Sequence, residues 1–218
     1  MADKSNASLL GNIPVASFIQ NVSSRSPAPG GGSVAALAGS LGAALGTMVC
    51  RLTIGKKKYK DVDEIMRQHE KDMLPIRDIL KDLIDKDTDA FDMVMAAFDL
   101  PSDTPEEKAD KETAIVQASM QAAEVPLEVM KNCLAGAEIL TNVAEFGNVN
   151  SISDAGVANL CFKTGFEGAK LNVLINIKDL VDSEWKQNIE TELHVLTDKF
   201  NEIFVKNEKH VTGRLSNG

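Results

Sequence analysis

A chain of 218 residues with 44% apolar and 25% charged residues has the composition of an ordinary soluble globular protein and can bury a core of its own. The net charge of −9 argues against nucleic-acid binding, which uses a basic stripe on a basic domain. Aromatics make up only 5%, and the wealth of Ala, Leu, Val and Met suits close helix packing better than a strand sandwich.

Cys50, Cys133 and Cys161 are far apart and odd in number, each in an apolar context. Without a CxxC or a Cys/His pair they are expected as buried free thiols in a reducing, cytoplasmic compartment, with no metal site. Residues 1–14 show no apolar stretch after their charges, so no signal peptide is expected. Residues 33–50 carry no charge and approach the length of a membrane span. They are mostly Ala, Gly and Ser, which gain little in lipid, so the expectation is a buried helix and no membrane insertion.

In chain order, Pro14 opens a helix over 15–23. Residues 24–32, SRSPAPGGG, are the sharpest loop signal. Ser33 is the expected N-cap of a helix over 33–53. There Ala35, Gly39, Gly42 and Gly46 share a face that admits a close neighbour. A third helix spans 60–98, bent at Pro75. Its apolar positions Ile76, Ile79, Leu80, Leu83, Ile84, Phe91, Val94 and Met95 follow the helical repeat. Thr104, Pro105 and Glu107 form a start signal for a helix to about 145, kinked or broken at Pro126. Residues 146–150 are a turn, and Ser151 or Ser153 caps a helix to about 170. Residues 171–177 are β-branched but lack a partner strand, which favours helix. Ser183 caps a last amphipathic helix to about 206, and the tail after His210 frays. The whole chain, 1–218, is expected to be a single all-α helical bundle around a central buried small-residue helix.

Three stretches could carry chemistry. Pro29, Gly30, Gly31, Gly32 and Ser33 open a helix, where free N–H groups and the dipole favour anions; the Lys-Ser/Thr ending of a P-loop is missing. Asp85, Asp87, Asp89 and Asp92 crowd one helical stretch that Asp does not favour, so one of them is expected in a cleft and the rest on a solvated face. Asn148, Asn150, Ser151, Ser153 and Asp154 follow a turn; caps explain them, yet their polar density also suits reading a heterocycle. His69 and His194 fall on polar faces and His210 in the tail, none in a catalytic pattern.

Taken together, RSPAPGGGSVAALAGSLGAALGTMVCRLTIGKKKY, DKDTDAFDMVMAAFDLPSDTPEEK, VPLEV, GNVNSISDAGVANL and LNVLIN resemble the C-terminal domain family of formiminotransferase-cyclodeaminase. That family includes the cyclodeaminase half of the bifunctional enzyme and free-standing methenyltetrahydrofolate cyclohydrolases. The resemblance runs in order from about 15 to 180. It implies an all-helical homodimer binding folate in a groove between helices. TIGKKKY and SDAGVA lean toward the cyclohydrolases. By resemblance, Asp87 is the acid–base residue and Asp154 also lies in the site. Lys57 acts at the leaving nitrogen or, with Lys56, binds the glutamate tail of a folate that can be polyglutamylated. Pro29, Gly30, Gly31, Gly32 and Ser33 lie against the ligand, and Asn148, Asn172 and Asn176 orient it.

The reaction implied is hydrolysis of 5,10-methenyltetrahydrofolate to 10-formyltetrahydrofolate. A carboxylate base would assist water, a contribution of about 10²–10⁴-fold. The bridging carbon is already electrophilic, so no cofactor or metal is expected. The alternatives are formiminotetrahydrofolate cyclodeaminase, releasing ammonia, and a non-catalytic folate-binding helical protein.

Overall fold

A computed structural model describes residues 9–181 and 183–216. Among them there are helices and turns but no strand. The long elements are α1 (Val15–Val22), α2 (Gly31–Thr53), α3 (Asp63–Phe98), α4 (Pro105–Phe146), α5 (Ile152–Ile177) and α6 (Glu184–Ser216). Short 3-10 turns lie at Leu10–Asn12, Lys57–Val62 and Val149–Ser151.

α2 is the centre of an all-α bundle. It packs along both α3 and α5 and touches α4. Its small residues set the spacing. A methyl group added at Gly42 would meet Phe162 and the Ala158 carbonyl, and one at Gly39 would meet Leu80 and Cys133. Gly46 faces Met73, and Gly165 of α5 lies over Ala35 and Gly39. These pairings run α3 and α5 antiparallel to α2. Only backbones stripped of side chains approach this closely, and burial offsets the lost helicity, about 1 kcal/mol per glycine. The helix is long and apolar enough to cross a membrane, but its small-residue faces are covered by its neighbours in the bundle.

The start signal at Thr104 forms a complete capping box: Thr104 accepts from the Glu107 N–H, and Glu107 accepts from the Thr104 N–H. Ser183 accepts the Lys186 N–H at 3.3 Å and caps α6. Ser33 is not the N-cap of α2. Gly30 takes that place, and Ser33 lies inside the first turn with its hydroxyl turned into the protein. Neither proline ends its helix. Pro75 sits inside α3 and Pro126 inside α4. Pro126 has no N–H for the Ala122 carbonyl one turn earlier, and the Asn176 amide donates to that carbonyl at 2.7 Å instead. This bond also secures the 171–177 stretch, so α5 runs past 170 to Ile177.

Among the described residues, the tail after His210 does not fray; residues 217 and 218 lie outside them. α6 continues to Ser216 because Val211 is buried and Arg214 donates to the Ala144 and Gly147 carbonyls at 2.8 and 2.7 Å. Between α4, α5 and α6, Asn207 is fully buried and satisfied by Thr141, the Ala137 carbonyl and Asn159. Cys50 and Cys133 are buried, whereas Cys161 is half-exposed. Burial pushes the Cys50 thiol up to about 12 and the other two upward as well.

Candidate active site

In the cluster Asp85, Asp87, Asp89 and Asp92 of α3, the first two divide by what they touch. Asp85 is buried, and its carboxylate accepts the N–H groups of Leu10 and Gly11 at 2.7 and 3.1 Å. It anchors the N-terminal segment, a structural task that the sequence did not suggest. Asp87, two residues on, faces the start of α2. Its Oδ2 lies 2.9 Å from the Ser33 hydroxyl, and the carboxyl also accepts the Ser33 backbone N–H. It presses on Gly32 so closely that a methyl group there would collide with it. A glycine at that position is therefore a condition of the contact.

Gly30 offers no side-chain cap, so the Asp87 carboxyl caps α2 from another helix. Burial pushes its acid strength down, raising its pKa above the ordinary 3.8; the Ser33 hydroxyl and N–H pull it back in part. A carboxyl that is desolvated, held at one oxygen and open to a cavity has the properties of a general base.

The cavity is about 290 Å³. Pro27, Ala28, Gly30, Gly31 and Gly32 form one wall, Asp87, Ala90, Phe91 and Val94 a second, and Asn172, Ile175, Asn176 and Ala122 the rest. Phe91 and Val94, which follow the apolar repeat of α3, serve this cavity rather than the core. Asn172 and Asn176 lie one turn apart on α5. Each donates its amide N–H to a backbone carbonyl, Gly168 at 2.8 Å and Ala122 at 2.7 Å. That fixes the amides and leaves their oxygens as acceptors. An acceptor-rich wall beside a carboxylate suits a flat, donor-bearing or cationic heterocycle.

Other expected site residues lie elsewhere in the chain. Pro29 is buried behind the loop, and Ser33 is fully buried with its hydroxyl taken by protein partners. Lys56 and Lys57 are exposed beyond the far end of α2. Asn148 is buried there: its backbone N–H donates to the Thr53 hydroxyl oxygen, its side-chain amide donates to the Leu52 carbonyl, and its Oδ1 lies 3.4 Å from the Tyr59 hydroxyl. Its polar atoms tie the end of α2 to the turn before α5. Asp154, half-buried, sits in the first turn of α5, where the helix dipole favours a negative charge. The 23 residues of α2 put Lys56, Lys57 and Asn148 about 35 Å from the glycine loop in the same chain, and the 18 residues of α5 between Asp154 and Asn172 put Asp154 about 27 Å away.

His69 departs from the polar-face expectation. Its ring nitrogens are buried with no hydrogen-bond partner, and burial pushes its pKa down.

An all-helical bundle with a glycine-lined helix start facing a half-buried carboxyl defines the class, and comparison with known proteins gives the family. Residues 14–195 match the family model described as formiminotransferase-cyclodeaminase, and the chain belongs to that family. A methenyltetrahydrofolate cyclohydrolase of Methylorubrum extorquens is 42% identical over 188 residues, covering 86% of this chain and 90% of that protein. A formimidoyltransferase-cyclodeaminase of Gallus gallus is 41% identical over 175 residues; the match takes in 79% of this chain but only 32% of that protein. A crystal structure of formiminotetrahydrofolate cyclodeaminase from Thermotoga maritima superposes with a TM-score of 0.84 at 32% identity, covering 93% of this chain and 98% of that one.

Proposed function

We propose that the protein is a methenyltetrahydrofolate cyclohydrolase, converting 5,10-methenyltetrahydrofolate to 10-formyltetrahydrofolate with Asp87 as the base. The observation that carries this reading is the Asp87 carboxyl on a cavity wall opposite the fixed amide oxygens of Asn172 and Asn176. The similarity to the Methylorubrum enzyme over 90% of its length favours this substrate. Ligand cavities run from roughly 300 to 1,000 Å³, so this one suits the heterocyclic head and leaves the glutamate tail outside.

In this mechanism water attacks the bridging carbon of the cationic amidinium, and Asp87 takes a proton from it. The bond from that carbon to one ring nitrogen then breaks. The nitrogen receives the proton from Asp87, and the carbinol proton passes to solvent. The ionised carboxylate also stabilises the cation before attack.

The working form is a homodimer. Val34, Leu41, Met48 and Leu52 leave an apolar stripe exposed along α2. Two such stripes packed antiparallel about a two-fold axis would bring the Lys56 and Lys57 end of one copy beside the glycine loop of the other. That arrangement gives Lys57 a route to a folate tail that it lacks within one chain.

The rival reading is a formiminotetrahydrofolate cyclodeaminase, favoured by the likeness to the Thermotoga structure. Purified protein assayed side by side with methenyl- and formimino-tetrahydrofolate decides between them. Faster turnover of the methenyl compound is expected. Ammonia release from the formimino compound as the faster reaction would replace this reading by its rival, and inactivity on both would defeat both.

A further inference from the structure

Ser33 is fully buried, yet three oxygens surround its hydroxyl. The Ile84 carbonyl lies at 3.0 Å, Asp87 Oδ2 at 2.9 Å and Thr88 Oγ1 at 3.4 Å. A serine hydroxyl has one proton to give. The carbonyl can only accept, and so can the carboxylate while ionised. Two acceptors at nearly equal range therefore compete for one proton. Thr88, whose hydroxyl can donate, is able to fill the lone pair that remains.

We infer that Ser33 is a positioning residue for Asp87, giving its hydroxyl proton to the ionised carboxylate and turning it to the Ile84 carbonyl once Asp87 has taken a proton. The carboxylate is the stronger acceptor while charged, because charge-assisted bonds are roughly twice as strong as neutral ones. When Asp87 becomes neutral it loses that advantage, and the carbonyl wins. Only the O–H torsion turns; no heavy atom moves. The buried environment thus receives the catalytic proton without leaving a polar group unpaired in either state. Ser33 does not touch the ligand. It sets the basicity and direction of the group that does. This inference rests on the reading of Asp87 as the base.

The test is the pH dependence of kcat/KM for Ser33→Ala and Ser33→Thr beside the wild type. Loss of the donor removes a bond that favours the carboxylate. The acid limb of Ser33→Ala is expected to move to higher pH by about one unit. Ser33→Thr, which keeps a hydroxyl, is expected to return it toward the wild-type position. A folded Ser33→Ala enzyme with an unmoved acid limb overturns the inference.

A measurement on the wild type serves if the variants do not fold. Ile84-Asp85 is the one Ile-Asp pair in the sequence. Labelling isoleucine carbonyls with carbon-13 and aspartate with nitrogen-15 therefore isolates the Ile84 carbonyl in an NMR spectrum. Its resonance is expected to move as pH falls through the acid limb, as the carbonyl gains the Ser33 bond. A carbonyl that stays still across that range overturns the inference. This readout needs no catalysis. If Asp87→Asn kept its turnover, the assignment of the base would fail while the coupling of Ser33 to Asp87 would still be decided by the carbonyl.

Discussion

Asn176 donates its amide to the Ala122 carbonyl at 2.7 Å, and that carbonyl is the one Pro126 leaves without a partner inside α4. A side chain of the cavity wall thus repairs a defect in the helix that backs it. Asn176→Ala should cost about 1–3 kcal/mol in chemical denaturation, because a buried carbonyl loses its donor. In a Pro126→Ala background the backbone N–H returns, and the same substitution should cost distinctly less. Equal costs in both backgrounds would show that the two residues are not coupled.

Asp87→Asn should lower turnover by roughly 10² or more while the helical signal is kept. The carboxyl also caps α2, so some stability is at stake. Asparagine keeps an acceptor of the same shape and caps helices about as well as aspartate, so the net change should stay within about 1 kcal/mol. A folded Asp87→Asn protein with most of its activity would remove Asp87 from the chemistry. Asp92→Asn on the exposed side of α3 is the silent control.

The raised pKa of Asp87 has a defined sign for stability. The native state holds this proton more tightly than the unfolded chain does. The favourable contribution is therefore complete below the ordinary 3.8 and is lost as pH rises through the higher native value. Denaturation of wild type and Asp87→Asn across this range should show the wild type losing ground as pH rises. A gap that widens in favour of the wild type would contradict burial as the dominant cause.

Asp85→Asn should release the Leu10–Asn12 turn, since a neutral amide oxygen replaces one of two accepting carboxylate oxygens and its NH₂ faces a backbone donor. The cost should be about 1–3 kcal/mol. Hydrogen exchange should quicken at Leu10 and Gly11 before it changes in α2. Uniform exchange in both proteins would show that the anchor contributes little.

If the site is shared between copies, Lys57→Gln should weaken substrate use several-fold without altering the melting temperature, because Lys57 is exposed. Mixing Asp87→Asn with Lys57→Gln chains should restore activity above the mean of the two parents, since one site of each mixed dimer is intact. Absence of any gain, in a preparation shown to contain mixed dimers, would place Asp87 and Lys57 in the same chain's site or leave Lys57 outside it.

The sequence was legible where the signals are local. The capping box at Thr104, the cap at Ser183 and the glycine face of α2 all depend on residues within a turn or two of each other, and the structure bears them out. Pairings distant along the chain were not legible. Ser33 looked like a cap because nothing nearby shows that Asp87, 54 residues away, would claim its hydroxyl. Crowding of aspartates pointed to one in a cleft, but nothing local showed that Asp85 holds the N-terminal segment. The helical reading of the β-branched 171–177 stretch holds, but the bond from Asn176 to the distant Ala122 carbonyl that secures it could not be read locally. The family resemblance gathered Lys57, Asn148 and Asp154 with Asp87, whereas the lengths of α2 and α5 hold them far from it within one chain.

The antiparallel seam between α2 and α5 also bears on how the chain is born. α2 ends at Thr53, and α5 does not begin until Ile152. At roughly 5–20 residues per second, the ribosome needs about 5–20 s to deliver the partner that covers the glycine face. During that interval a helix with a single charge, Arg51, and an apolar stripe is covered by α3 and part of α4 at most. Nascent chains stalled after α4 should therefore engage chaperones that recognise apolar segments, and release from them should coincide with the emergence of α5.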